Sequence, residues 1–220
     1  MIGNKNGTRS TYFAFSNQFV NGGTFAVTNT DSGGGIQTLF YVTGIAGTSL
    51  TNEAAGTIKL AASSGSGVRN VMTLNSGGFV NLGTLTSDTD GTAANRSNQL
   101  FLASGQTFSN AAGGQVIAQG RAGGEFVISA DKIINVGTNV INAGTLDYLT
   151  SAGGAAVLEN AGTILFGGAN LNVGTLTNKA TGTIKATAGA NAIVGSLLVN
   201  NGTIDISGTT ILSNATAAPT

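Results

Sequence analysis

Leu50-Thr51-Asn52-Glu53-Ala54-Ala55-Gly56-Thr57-Ile58 is the stretch on which the fold turns, because its pattern recurs throughout the chain. The pattern is an apolar residue, any residue, Asn, a short gap, then Gly-Thr-apolar. Eight copies can be read in 220 residues, with their asparagines at Asn21, Asn52, Asn81, Asn110, Asn142, Asn160, Asn178 and Asn201. The pairs that follow are Gly23-Thr24, Gly56-Thr57, Gly83-Thr84, Gly114-Gln115, Gly144-Thr145, Gly162-Thr163, Gly182-Thr183 and Gly202-Thr203. Self-similarity of this kind is the signature of one supersecondary unit stacked on itself.

After each pair the apolar residues alternate. Phe25, Ile58, Leu85, Val116, Leu146, Ile164, Ile184 and Ile204 come first, then mostly small or polar residues, then positions such as Val27, Leu60 and Phe166. A period of two describes strands with one buried face. Thirty-five glycines make long helices costly, at about 1 kcal/mol each relative to alanine in a helix interior. Further apolar runs between the copies, including Leu39 to Val42, Leu100 to Leu102 and Phe126 to Ile128, supply the remaining walls of each coil. The reading is an all-β, single-stranded right-handed parallel β-helix of about eight coils. Residues 1–18 form an N-terminal strand or cap, 19–206 the solenoid, and 207–220 a tail or linker. A left-handed β-helix is the alternative, since residues 140 to 181 divide into hexads. Successive markers are 31, 29, 29, 32, 18, 18 and 23 residues apart, so loops belong to the coils before Asn142.

The recurrent Asn reads as an inward ladder, because a primary amide both donates and accepts and can pass hydrogen bonds from coil to coil. An aspartate column would concentrate charge instead. The glycine is expected to take a positive φ at the corner. Asn98, outside the pattern, reads as a loop residue. The threonines read as a cross-strand column, while an ice-binding face would need paired Thr-x-Thr columns.

Composition removes whole classes of chemistry. Nine basic and nine acidic residues balance, leaving no electrostatic footprint for nucleic acid or an anionic membrane. There is no Cys and no His, so thiol chemistry and the commonest base and metal ligand are missing. No apolar run is long enough for a signal peptide or a membrane-spanning helix. Any export signal is therefore expected outside this chain.

Leu50 to Ile58 and Leu176-Thr177-Asn178-Lys179-Ala180-Thr181-Gly182-Thr183-Ile184 resemble the β-strand repeats of bacterial autotransporter passengers and filamentous-haemagglutinin-type adhesins. The resemblance covers residues 19 to 206. It implies secretion to the cell surface; with no cluster of carboxylates, the expected role is non-catalytic and structural, an adhesin segment or self-stacking filament subunit. Because the repeat runs almost to the tail with little to cap its open sheet edges, an end-to-end homo-oligomer or continuation in a longer parent chain is expected, with a host or glycan receptor as the other class of partner.

The alternative is a carbohydrate-active β-helix, a lyase, hydrolase or glycan-binding tail-spike-like protein, which would need clustered carboxylates. Asp31, Glu53, Asp88, Asp90, Glu125, Asp131, Asp147, Glu159 and Asp205 fall mostly one per coil. Only Asp88-Thr89-Asp90-Gly91 brings two together, without the further oxygen ligands of a calcium loop. Arg69, Arg96 and Arg121 could line one side of successive coils. No residue is assigned to catalysis, to a cofactor or to a metal.

Overall fold

A computed structural model describes residues 2–4, 9–15, 18–29, 37–44, 49–62, 69–75, 77–89, 96–120, 124–207 and 209–214. Every regular element among them is a β-strand, and every pairing between strands is parallel. Three sheets run the length of the molecule and the chain visits them in turn, which makes a parallel β-helix.

The first sheet has eight strands and carries the asparagines: Phe19–Asn21, Leu50–Asn52, Phe79–Asn81, Thr107–Asn110, Lys132–Asn135, Val157–Asn160, Thr175–Asn178 and Leu197–Asn200. The second carries the threonines. Its nine strands are Ile2–Asn4, Thr24–Asn29, Thr57–Ala62, Thr84–Thr89, Gln115–Gly120, Thr138–Ile141, Thr163–Gly167, Thr183–Ala188 and Thr203–Ile206. The third, also of nine, comprises Arg9–Phe15, Gln37–Gly44, Arg69–Leu74, Arg96–Leu102, Gly124–Ser129, Thr145–Leu149, Asn170–Asn172, Ala190–Gly195 and Thr209–Asn214. Eight complete coils result. Two strands, Ile2–Asn4 and Arg9–Phe15, extend the second and third sheets ahead of the first coil. The solenoid also continues past Ile206, because Thr209–Asn214 pairs along the whole of Ala190–Gly195. At ~4.8 Å per coil the rod is roughly 40 Å long.

Inward residues of the three walls meet in one apolar column. Phe79, Leu85 and Leu100 fill one level, Phe108, Val116 and Phe126 the next, and all six are essentially inaccessible. Aromatic rings touch between levels, as Phe79 and Phe108 do at 5.4 Å between centroids and 68° between planes. The walls between the second and third sheets are joined by residues 30–36, 63–68, 90–95 and 121–123 in the first four coils. These segments lie outside the described residues. In the later coils the same corner takes only a few residues, such as Gly189.

The asparagine ladder is continuous but differs from the expected one at two rungs. Nδ2 of Asn21 donates to Oδ1 of Asn52, and the chain proceeds through Asn81, Asn110, Asn135, Asn160 and Asn178 to Asn200, at 2.7 to 2.8 Å per step. Asn142 and Asn201 are exposed and take no part. Ile133-Ile134-Asn135-Val136-Gly137-Thr138 is the true fifth copy. Val140 to Leu146 imitates it one corner later, with Thr145 opening a strand of the third sheet. At the eighth rung the slip is a single residue, which exchanges the two faces of a strand. Leu198 opposes Leu176 and packs on the core, while Val199 points outward.

Each ladder asparagine from Asn21 to Asn178 also donates to the backbone of the following coil. Asn52 Nδ2 reaches Thr84 O at 3.1 Å, and Asn81 Nδ2 reaches Gln115 O at 2.9 Å. The Asn carbonyl accepts from the next corner, as Asn81 O does from Ala111 N at 2.9 Å. The Gly carbonyl accepts from the next threonine's N–H, as Gly56 O does from Thr84 N at 2.9 Å.

The glycines are required for space, not for a positive φ. Among the Gly-Thr glycines only Gly144, in the imitation copy, has one (74°). A Cβ on Gly83 would overlap the carbonyl oxygens of Glu53 and Gly56, and one on Gly137 would overlap those of Gly114 and Ala111. Gly23, in the first coil, would meet nothing within 4 Å. The coils stack so closely at this corner that only hydrogen fits.

Asn98 is likewise corrected. It is fully buried and inward on the third sheet, accepting from Asn70 Nδ2 at 2.9 Å and donating to Leu60 O and Ser87 Oγ at 2.9 and 3.0 Å. Thr38, Asn70 and Asn98 occupy successive levels of one inward column, which becomes apolar at Phe126 and Leu146.

Two substitution series follow. Asn81→Ala and Asn98→Ala should each lower unfolding free energy by about 1–3 kcal/mol per buried group left unpaired, whereas Asn142→Ala and Asn201→Ala should change it by less than about 0.5 kcal/mol. Chemical denaturation of the four variants measures this. Gly83→Ala should cost about 1–3 kcal/mol through overpacking, against little change for Gly23→Ala, read as the difference in thermal midpoints of the two proteins.

Candidate functional site

Among the described residues the carboxylates are dispersed around the rod, and four of them are held by near neighbours. Asp88 pairs with Lys59 at 3.3 Å and Asp205 with Lys185 at 3.5 Å, both on the outer face of the threonine sheet. Glu159 lies between Lys132 and Lys179, at 3.5 Å from each, on the asparagine sheet. All of these pairs join residues of neighbouring coils and are solvent-accessible, so each contributes little to stability. Asp147 points out from the third sheet yet is 7% exposed, and among the described residues its Oδ1 has no hydrogen-bond partner. Asp31 and Asp90 lie outside the described residues, as does the second half of the Asp88-Asp90 loop. Among the described residues no group of three or more His, Cys, Asp or Glu side chains could hold a metal ion.

Asp131 is held by four hydrogen bonds. It stands at the corner between the third sheet and the asparagine sheet and binds the corners of the coils on either side. Oδ1 accepts from Ser151 N at 3.0 Å and Ser151 Oγ at 2.6 Å, and Oδ2 accepts from Gly105 N at 2.6 Å and Ser104 Oγ at 3.3 Å. The Ser151 hydroxyl and then the two backbone N–H groups stabilise the anion, lowering its pKa from 3.8 to about 2. The arrangement is a staple across three successive corners, with every lone-pair direction occupied from within the chain.

Inside the rod, a further polar pair replaces apolar packing. Asn139 takes the position filled by Val116 below and Ile164 above, and its Nδ2 donates to the Tyr148 hydroxyl at 2.8 Å. Asn110 Nδ2 reaches Asn139 Oδ1 at 3.3 Å, tying this pair to the ladder. Burial pushes the tyrosine hydroxyl above the usual phenol range, while the Asn139 bond works against that shift. The tyrosine is inaccessible and its hydroxyl satisfied, so the pair is internal support.

The threonines form one outward column, from Thr24 through Thr57 and Thr84, interrupted by Gln115 and resumed from Thr138 to Thr203. The next outward column runs Ala26, Lys59, Thr86, Ile117, Val140, Leu165, Lys185 and Asp205. This face is therefore not a paired threonine array. Arg69 and Arg96 open neighbouring strands one position out of register, since Ser97 is the residue opposite Arg69. Their side chains, and Arg121, lie outside the described residues.

Among the described residues the exposed large aliphatics lie mostly on and beside the asparagine sheet, at Val20, Leu82, Val136, Val157, Leu197 and Val199, with Ile206 on the threonine sheet. The two ends of the core are less covered than its middle. Phe19 and Phe25 at one end, and Leu198 and Ile204 at the other, are only partly buried, although their counterparts Leu176 and Ile184 are sealed.

The chain was compared with protein-family models, with curated proteins and with solved structures, and matches none of them. No helix of the described residues is long and apolar enough to cross a membrane.

The Asp131 staple carries a pH dependence. Its folded pKa lies below its ordinary value, so its stabilisation is fully present above about pH 4 and disappears as pH falls through about 2. The stability difference between the native chain and Asp131→Asn should therefore shrink over that interval and be flat from pH 5 to 7. Denaturation at a series of pH values measures it.

Proposed function

We propose that this chain is a non-catalytic structural segment of a bacterial cell-surface protein, a β-helical rod of adhesin or filament type. The observation that carries the reading is the polarity of the ladder. All seven amide-to-amide bonds run from Nδ2 of one coil to Oδ1 of the next. Asn200 Nδ2 bonds only its own corner, at Gly202 O, and among the described residues nothing donates to Asn21 Oδ1. One end of the rod thus offers a donor and the other an acceptor, beside partly open core residues. Such ends suit the addition of further coils, from the same polypeptide or from another copy.

The dispersal of the described carboxylates, several of them paired with lysines of neighbouring coils, favours the same reading over glycan hydrolysis, which needs two acids flanking one bond. The resemblance of the repeats to autotransporter and haemagglutinin-type passengers supports an extracellular location, and a glycan or host receptor is then the class of ligand for the loop-bearing first coils.

Electron microscopy of the purified chain, with antibody labelling of intact producing cells, tests this. Axial filaments or a longer continuous rod in the native gene product, and labelling without lysis, are expected. Isolated rods of roughly 40 Å in the native product at every concentration, labelled only after lysis, would contradict it.

A further inference from the structure

We propose that the outer face of the threonine sheet is a dimerisation surface on which a second copy of this chain packs antiparallel, about a two-fold axis through Val140. The observation is the order of residues along one outward column. Lys59 is followed by Thr86, then Ile117, Val140 and Leu165, then Lys185 and Asp205, each directly opposite the next in the sheet. Asp88, paired to Lys59, lies beside Thr86 on the same strand. Three half-buried aliphatic residues thus form a stripe with one cation–anion pair at each end.

The two pairs are not mirror images. Travelling along the rod, both are met cation first and anion second. A two-fold axis along the strands at Val140 reverses the rod axis and keeps the column in register, so it lays Val140 on Val140 and Ile117 on Leu165. Lys59 then meets Asp205 of the second copy, and Lys185 meets Thr86 and its neighbour Asp88. Lys59 faces Asp205 directly and Lys185 lies diagonal to Asp88, so each charge has its opposite nearest across the contact, which is isologous and closed.

Other arrangements fail on charge. A two-fold axis along the rod sets every residue against itself, lysine on lysine and aspartate on aspartate. Sliding the antiparallel pair by one strand brings Lys59 onto Lys185, and sliding it the other way brings Asp88 towards Asp205. Only one register joins the aliphatic stripes and satisfies all four charges. The threonine column meets itself in that register as well, Thr57 on Thr203 and Thr84 on Thr183.

Seven coils overlap, and strands of four to six residues make the face about 34 Å by 16 Å. That buries roughly 500 Å² on each copy, near the lower bound for specific interfaces, so the dimer is reversible with a Kd in the micromolar range. The surface is remote from the ends of the rod and does not depend on how further coils are added there.

Complementary charge reversal tests the register. Lys59→Asp places aspartate against Asp205, and Asp205→Lys places lysine against Lys59, twice per dimer in each case. Either variant alone should dimerise about a hundredfold more weakly in sedimentation velocity, as like charges across an interface do, while an equimolar mixture regains the native affinity. Val140→Glu, which opposes two carboxylates on the axis, should be monomeric with an unchanged circular dichroism spectrum. A native chain that stays monomeric to about 0.2 mM, far above a micromolar Kd, would overturn the proposal. So would a mixture of the two charge variants no more associated than either alone.

Discussion

A hydrogen bond of 2.7 to 2.8 Å from one asparagine Nδ2 to the next asparagine Oδ1, repeated seven times, is the constraint that organises this molecule. A primary amide has both roles on one side chain, so a column of amides satisfies itself where no water enters. Because an unpaired amide inside the rod would cost its full desolvation, the ladder admits one register between coils. Everything near the corner follows from that register. The next coil lies so close that glycine alone fits after the asparagine, and the following threonine N–H finds the glycine carbonyl below it. The repeated phrase is thus a description of one corner: amide, space, and donor.

The periodicity made the solenoid, its three walls and the number of its coils legible, together with six of the eight rungs. The two errors have physical causes. Val140-Ile141-Asn142-Ala143-Gly144-Thr145-Leu146 satisfies the phrase as well as the true copy does, because the next corner also needs a turn and an apolar inward residue. The true copy was hidden by Asn139, a polar residue at a core position, tolerated because Tyr148 and Asn110 satisfy it across the rod. No local pattern announces such a pair. The spacing carried the only hint: the ladder's real intervals there are 25 and 25, whereas the misplaced rung made them 32 and 18.

At the last rung the signal was closer to hand. Every true copy leaves one or three residues between Asn and the glycine of the pair, whereas Asn201 abuts Gly202 and Asn200 does not. The glycines were read for the wrong property, since a one-dimensional sequence shows a turn but not the backbone of the neighbouring coil. Asn98 was misread for a related reason. Its partners Asn70, Leu60 and Ser87 come from other strands and are remote in sequence. Surface pairing along the rod, Lys59 with Asp88 and Lys185 with Asp205, was equally invisible until the strand register was known.

Amide hydrogen exchange at the asparagine side chains tests the ladder most directly, because each rung should be shielded by its neighbours and open only with the coil. The Nδ2 protons of Asn52, Asn81, Asn110, Asn135, Asn160 and Asn178 should be strongly protected, while those of Asn142 and Asn201 exchange at the rate of a free amide. Protection at Asn142 with free exchange at Asn135 would contradict the register on which the corner, the glycines and the stacking all rest.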